Sequence, residues 1–327
     1  MKETFVTYNP ELRASVLEFL LKAYPDRNRK YFELWLSDLE RGGCDYWEKT
    51  GIILVNNEIV GITMANPSLI KNFQGKELRV YCGANTIIKK EYRGKGLAKY
   101  LYELKKTPIE WCTPGITKMG LSSYNRYNIP YYSINPVNVY LAFNHCLAKK
   151  HKRVFEYPNR LIIGAGLEAI LINTASDVEY PQSGRWTSDE YEYDRSKEYI
   201  ENRFFLNYRA KEYAMFRIEK NKKQIGYFVV RKAFYKVNML SLVDYRFDRS
   251  IASLKDVLKF VNKIAVMNNY GCVIVLTSDR LPYFMMFPFV LKTLKKLYCA
   301  TSNSGIGSSK NLLITSADCD LDYVYYD

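Results

Sequence analysis

The stretch Arg93-Gly94-Lys95-Gly96-Leu97-Ala98 decides how this chain is read. Before it, Leu78 to Ile88 has the alternation of a buried strand and closes on Thr86-Ile87-Ile88. After it, Leu97, Tyr100, Leu101 and Leu104 recur at the i, i+3, i+4, i+7 spacing of an amphipathic helix, limited by Pro108. The loop Lys89 to Gly96 joins the two. Glycines at 94 and 96 clear side chains from a place where a ligand must reach the backbone. A helix starting there presents unpaired N–H groups and the positive end of its dipole, the elements of a pyrophosphate site. Arg93 and Lys95 add positive charge. The pattern is neither Gly-x-x-x-x-Gly-Lys-Ser/Thr nor the three-glycine dinucleotide fingerprint.

Working outward, the chain opens on two helical stretches. Leu12, Val16, Leu17, Phe19 and Leu20 follow Asn9-Pro10, and Tyr31 to Leu39 is stopped by Arg41-Gly42-Gly43. Gly51 to Val55 and Ile59 to Met64 then read as strands around a tight Asn56-Asn57-Glu58 turn. Beyond the glycine loop lies a Tyr- and Asn-rich region, Ser122 to Asn138. The basic cluster Lys149-Lys150-His151-Lys152-Arg153 reads as a solvated helix end, and the polar segment 173–198 as a linker. A second series follows: strands Met215–Ile218 and Ile225–Arg231 across a Glu219–Lys223 turn, strand Met239–Val243, helix Leu254–Met267, and strands Cys272–Thr277 and Leu312–Thr315. The order of the first half returns without its glycine loop, as in an internal duplication.

A chain of 327 residues is long for one domain and comfortable for two. The net charge is +14, and the excess is concentrated before residue 156, with 24 basic against 14 acidic side chains. Such a field attracts phosphates. The seven cysteines are scattered, with no Cys-x-x-Cys pair, and the only histidines are His145 and His151. This predicts reduced thiols in a cytoplasmic protein and no zinc site. Asp318, Asp320 and Asp322 lack the glycine and terminal glutamate of a calcium loop, so no metal is expected. The N-terminus is not a signal peptide, and the apolar run Leu281–Leu291, broken by Pro282 and Pro288, is too short to span a bilayer.

Arg93-Gly94-Lys95-Gly96-Leu97-Ala98 matches Arg/Gln-x-x-Gly-x-Gly/Ala, the signature of the GNAT superfamily of N-acetyltransferases, in full. The lead-in Ile88-Lys89-Lys90-Glu91-Tyr92 resembles that family's, with Lys90 where a proline is usual. The resemblance implies acetyl-CoA as acyl donor. Backbone groups of Thr86, Ile87 and Ile88 would hold the pantetheine and acyl carbonyl, with N–H groups from Gly94 to Lys99 on the pyrophosphate. It also implies an Asn followed seven residues later by a Tyr that protonates the departing thiolate, a spacing met by Asn125 and Tyr132, although Ser133-Ile134-Asn135 replaces the usual Gly-Phe. The second half resembles the tail half of bacterial tandem-GNAT proteins encoded among surface-polysaccharide genes, through Arg203-Phe204, Tyr208, Ser241-Leu242-Val243-Asp244 and Leu312-Leu313-Ile314-Thr315. The expected fold class is therefore α/β (α+β). Two tandem GNAT-like domains are expected, 1–175 with the acyl-CoA site and 176–327 degenerate, each a mixed, mostly antiparallel sheet flanked by helices.

The chemistry implied is direct acyl transfer from a thioester to a primary amine, in which positioning supplies much of the rate. The Ile88 N–H would polarise the carbonyl. A base must take a proton from the ammonium, and Glu77 and Asp244 are the candidates. The expected acceptor is a small-molecule amine, including an amino sugar or nucleotide-linked sugar. Two other readings stand beside it. One is a Fem-type aminoacyl transferase using charged tRNA, which the charge suits but the intact pyrophosphate loop opposes, so nucleic acid is not the expected partner. The other is a non-catalytic coenzyme-A-binding module.

Overall fold

A computed structural model describes residues 2–25, 27–72, 74–106, 110–143, 155–180, 191–207, 209–235, 237–281, 290–309 and 311–318. The basic cluster 149–153, both histidines, Asp320 and Asp322 lie outside the described residues. In chain order the strands are β1 (Glu3–Thr7), β2 (Gly51–Val55), β3 (Glu58–Asn72), β4 (Glu77–Ile88), β5 (Cys112–Ile116), β6 (Tyr132–Phe143), β7 (Arg160–Ile163), β8 (Leu167–Ile172), β9 (Tyr191–Tyr193), β10 (Tyr213–Lys220), β11 (Lys223–Tyr235), β12 (Val237–Phe247), β13 (Cys272–Thr277), β14 (Val290–Thr301) and β15 (Leu312–Leu313). The helices are α1 (Arg13–Ala23), α2 (Arg29–Gly42), α3 (Cys44–Trp47), α4 (Ala98–Glu103), α5 (Lys118–Arg126), α6 (Lys197–Ile200), α7 (Leu254–Met267) and α8 (Ser304–Ser309). The fold is mixed α/β with two sheets flanked by helices.

The chain divides into two compact units. The first comprises residues 1–70, 77–135 and 298–310, the second 71–76, 136–297 and 311–327. The sequence reading divides the chain at 175/176 instead. Compactness assigns residues 136–172 to the second unit because β8 pairs with β10 and the end of β6 with β13. It returns 298–310 to the first because Tyr298, Ala300 and Thr301 pair with β5. Segment 173–198 is no free linker where it is described: Ala175, Val178 and Tyr193 are buried, and Thr174 and Asp177 form a capping box.

In the first unit β1, β2 and β3 are antiparallel, β3 also pairs with β4, and β4 touches β5 in parallel at Tyr81 and Trp111. Asn56 and Asn57, at φ 50° and 66°, make the β2–β3 hairpin turn, a backbone that asparagine tolerates. After β4 the chain runs through the glycine loop into α4. Leu97 and Leu101 bury against Ile53, Val55 and Val60, which seats the helix start at the end of β4.

In the second unit β8, β10, β11 and β12 are successive antiparallel neighbours, and β12 is parallel to β13 across α7. Asn221 and Lys222, at φ 53° and 63°, repeat the hairpin turn of the first unit. Helix α7 is fixed at its start by a Ser253/Asp256 capping box and buries Val257, Val261 and Ile264 against the sheet. A β-meander followed by a parallel strand–helix–strand step thus occurs in each unit.

Candidate functional site

The glycine loop fixes its own conformation. Gly94 and Gly96 have φ of 79° and 82°, a region that residues with a Cβ rarely enter, and a Cβ at either would meet nothing within 4 Å. The glycines are required by backbone conformation and open a clear surface beside it. Arg93 N donates to Lys90 O, Lys99 N to Gly96 O and Tyr100 N to Leu97 O. Between them, the N–H groups of Gly94, Lys95, Gly96 and Leu97 make no hydrogen bond among the described residues. Leu97 caps α4 without a side-chain acceptor, so the start of the helix is left uncapped.

Charge surrounds this row of donors. Arg93 Nε donates to Ile88 O at 2.9 Å, folding the guanidinium back over the end of β4. Lys95 Nζ sits 4.8 Å from the Tyr92 ring centre and Lys99 Nζ 4.9 Å from that of Tyr100. The loop, Arg93, Lys95 and Lys99 thus stand together at the β4–α4 junction, with Ile87 and Ile88 leading in. Lys99 differs from the sequence reading in one respect: its N–H closes the first turn, leaving its side chain for an anion.

Strand β4 carries an irregularity just before that junction. Asn85 has φ 49° and is buried, its Oδ1 accepting from Arg27 Nη1 at 3.2 Å. Arg27 lies over the rings of Tyr24 and Tyr31 at 4.8 and 5.0 Å and donates to the Tyr31 hydroxyl at 2.8 Å. One residue on, Thr86 Oγ1 pairs with Thr63 Oγ1 at 2.7 Å. Sequence reasoning missed Asn85 and Arg27. The signal was available, since an asparagine after Gly83-Ala84 in a strand marks a left-handed residue.

The proposed acid–base residues sit on three different strands, Tyr132 in β6, Glu77 in β4 and Asp244 in β12. Tyr132 is half exposed at the start of β6, but Asn125 Oδ1 accepts from Tyr131 at 3.2 Å, so the asparagine engages the neighbouring tyrosine. Glu77 is the first residue of β4 and Ile88 the last. At about 3.3 Å per residue they stand more than 30 Å apart, so Glu77 is not at the loop.

Asp244 is fully buried in the second unit. It accepts from Arg195 Nε at 2.8 Å, Arg246 Nη1 at 2.9 Å, Tyr227 Oη at 2.9 Å and Thr315 Oγ1 at 2.7 Å. Burial alone would raise its pKa, but Arg195 and Arg246 outweigh burial and hold it at about 2. Asp318 also pairs with Arg195, and Arg246 reaches Glu192 at 3.0 Å. A carboxylate held so firmly in its charged state is a structural ion, not a proton acceptor, because no substrate amine can compete for its oxygens. Asp318 likewise pairs with the Arg195 guanidinium, and no group of potential metal ligands occurs among the described residues.

The loop between β12 and α7 stands where the glycine loop stands in the first unit, and it is closed. Asp248 Oδ1 takes the Ser250 N–H at 2.9 Å, Ile251 N and Ala252 N donate to Asp248 O, and Ser253 N donates to Asp256 at 3.1 Å. The N–H groups of Ser250 to Ser253 are thus spent within the loop, two of them on carboxylates.

No family model matches the sequence, and no curated protein matches it. Solved structures do. A GCN5-related N-acetyltransferase from Anabaena variabilis superposes with TM-score 0.59 at 13% identity, over 92% of this chain and 72% of that one. A probable N-acyltransferase from Enterococcus faecalis superposes with TM-score 0.57 at 16% identity, over the same shares of the two chains. An N-myristoyltransferase from Saccharomyces cerevisiae, solved with bound myristoyl-CoA and inhibitors, superposes with TM-score 0.54 at 13% identity, over 91% and 79%. The fold is accordingly that of the GCN5-related N-acetyltransferases, and the likeness extends over most of the chain. Among the described residues no helix is long and apolar enough to cross a membrane.

Proposed function

We propose that this protein is an N-acyltransferase that takes its acyl group, acetyl in the simplest case, from coenzyme A and delivers it to a primary amine on a small molecule. The observation that carries the reading is the row of undonated N–H groups from Gly94 to Leu97, held open by two left-handed glycines and flanked by Arg93, Lys95 and Lys99. A pyrophosphate satisfies those donors, and the flanking cations neutralise it. The pantetheine then runs back along Thr86, Ile87 and Ile88, which brings the thioester to the irregular segment at Asn85. The fold shared with an N-acetyltransferase and with an N-myristoyltransferase solved with myristoyl-CoA supports an acyl-CoA donor.

In this reading the first unit holds the one coenzyme site and the second is a degenerate copy. The repeated meander and strand–helix–strand step support duplication, and the Asp248 loop explains the degeneracy. The open pyrophosphate loop favours coenzyme A over charged tRNA as the donor. An amino sugar, free or nucleotide-linked, is the acceptor class proposed from the resemblance to surface-polysaccharide proteins. Tyr131 joins Tyr132 as a candidate acid for the leaving thiolate, because Asn125 orients it. Calorimetric titration with coenzyme A and acetyl-CoA tests the proposal: saturable binding at one site per chain is expected, and absence of binding refutes it.

A further inference from the structure

Strands β4 and β5 meet at Tyr81 and Trp111, where Tyr81 N also donates to Glu110 O at 3.1 Å. Two residues further along each strand, Gly83 and Thr113 face the same point, and Lys105 reaches it from the turn that ends α4. A Cβ at Gly83 would press on Lys105 Nζ and come within 3.2 Å of Thr113 Oγ1, so glycine leaves the ammonium its room. The ammonium sits 4.6 Å from the Trp111 ring centre, 5.3 Å from Tyr81 and 5.4 Å from Tyr124. Lys105 is 7% exposed, and Nζ has no hydrogen-bond partner. The Tyr81 hydroxyl, also buried, has no partner among the described residues, and the buried Thr113 Oγ1 lies within reach of the Tyr124 hydroxyl.

An ammonium is a donor three times over and never an acceptor. The three rings offset part of its desolvation, but no carboxylate compensates it among the described residues. If bulk alone were needed to close this end of the β4–β5 pair, an apolar side chain would serve at lower cost, since a buried unpaired charge is strongly unfavourable. Burial pushes the lysine down to about 8, which leaves it mostly protonated at neutral pH. The Lys105 ammonium and Thr113 Oγ1 both approach the position a Cβ at Gly83 would take, and with the buried hydroxyl of Tyr81 on the same strand they form a set that a carboxylate completes.

We propose that Lys105, Tyr81 and Thr113 form a subsite for the carboxylate at the far end of a short dicarboxylic acyl group, such as succinyl or glutaryl, carried by the donor. The inference rests on the loop reading above. With the thioester near Asn85 and Thr86, the acyl chain continues along β4 towards Gly83. Three residues of strand from Thr86 to Gly83 span roughly 10 Å, comparable with such a chain plus one hydrogen bond. Binding requires Lys105 to swing back from Gly83 while keeping its ring contacts.

The test is calorimetric titration of the full chain with coenzyme A, succinyl-CoA and butyryl-CoA, the last ending in a methyl group where succinyl has its carboxylate. Succinyl-CoA is expected to bind about tenfold or more tightly than butyryl-CoA, from charge-assisted hydrogen bonds in a buried site. In Lys105→Met that ratio falls to near one. Tyr81→Phe keeps the ring and lowers the ratio in part, which supplies a second readout if Lys105→Met does not fold. A ratio near one in the parent, or one that survives Lys105→Met, overturns the subsite. A preference for apolar chains that grows in Lys105→Met makes Lys105 a plug and overturns it equally. If a carboxylate-bearing amine binds with acetyl-CoA and loses affinity in Lys105→Met, the carboxylate belongs to the acceptor and the donor assignment falls. Failure of coenzyme A itself to bind the parent brings down the loop reading first, and the subsite with it.

Discussion

Gly96→Ala separates backbone strain from ligand contact. At φ 82°, an alanine costs on the order of 1–2 kcal/mol, the penalty of a Cβ in the left-handed region. Nothing lies within 4 Å of the new methyl group, so no clash adds to it. Gly75 provides the matched control: it has φ 78°, equally open surroundings, and a place in the turn before β4, far from the loop. Gly75→Ala and Gly96→Ala should therefore lose similar stability in urea denaturation, about 1–2 kcal/mol each. Only Gly96→Ala should lose coenzyme A affinity, because its methyl group points into the surface where the pyrophosphate approaches and its backbone no longer presents the Gly96 N–H in line. Two weakened charge-assisted hydrogen bonds at about 1.5 kcal/mol each correspond to a loss of order 100-fold. Calorimetry on both variants decides the matter. Equal affinity in Gly75→Ala, Gly96→Ala and the parent refutes the reasoning, because strain without a binding penalty means the loop does not hold the ligand.

Other expectations follow from the charges. Asp244→Asn leaves Arg195 and Arg246 facing a neutral group in a buried site and should cost about 3–5 kcal/mol, measured by chemical denaturation. The folded pKa of Asp244 lies below its unfolded value near 4, so its stabilisation is present above about pH 4 and is lost as pH falls towards 2; Asp244→Asn should flatten that part of the acid limb. Lys105 has a folded pKa of about 8 against 10.5 when free, so the unfolded chain binds more protons between those values and stability rises with pH across that window, by on the order of 3 kcal/mol. Lys105→Met should remove this rise and be more stable than the parent at pH 7, and an unchanged pH profile would contradict a buried ammonium. If Tyr132 protonates the thiolate, Tyr132→Phe loses about 10²–10⁴ in turnover with normal acetyl-CoA binding; if Tyr131, held by Asn125, does so, the loss appears in Tyr131→Phe instead.

The sequence was most legible where local chemistry alone decides structure. An apolar run that meets two glycines and then a 3.6-residue stripe has few other solutions, and β4, the loop and α4 formed as read. The Asn56-Asn57 and Asn221-Lys222 turns were readable for the same reason. Strand β5, Cys-Thr-Pro-Gly-Ile, was missed because its proline and glycine read as a turn, and β1 because five polar-flanked residues carry little periodicity. Both are made into strands by their neighbours. The candidate base residues were misplaced for a related reason. Adjacency to a strand fixed Glu77 to β4 but not to which end mattered, and nothing local to Asp244 announced that Arg195, Arg246 and Thr315 would close over it. Lys105 was invisible in the same way. A lysine at a helix end reads as solvated, and only the tertiary packing of Tyr81, Trp111 and Tyr124 buries it.

The most direct test of the central claim is a crystal structure of the chain with acetyl-CoA. The expected result is one coenzyme per chain, with pyrophosphate oxygens within hydrogen-bond distance of the N–H groups of Gly94 to Leu97 and the thioester beside Asn85 and Thr86. A coenzyme seated instead at the β12–α7 loop with Asp248, or a pyrophosphate that makes no contact with Gly94 to Leu97, would contradict it.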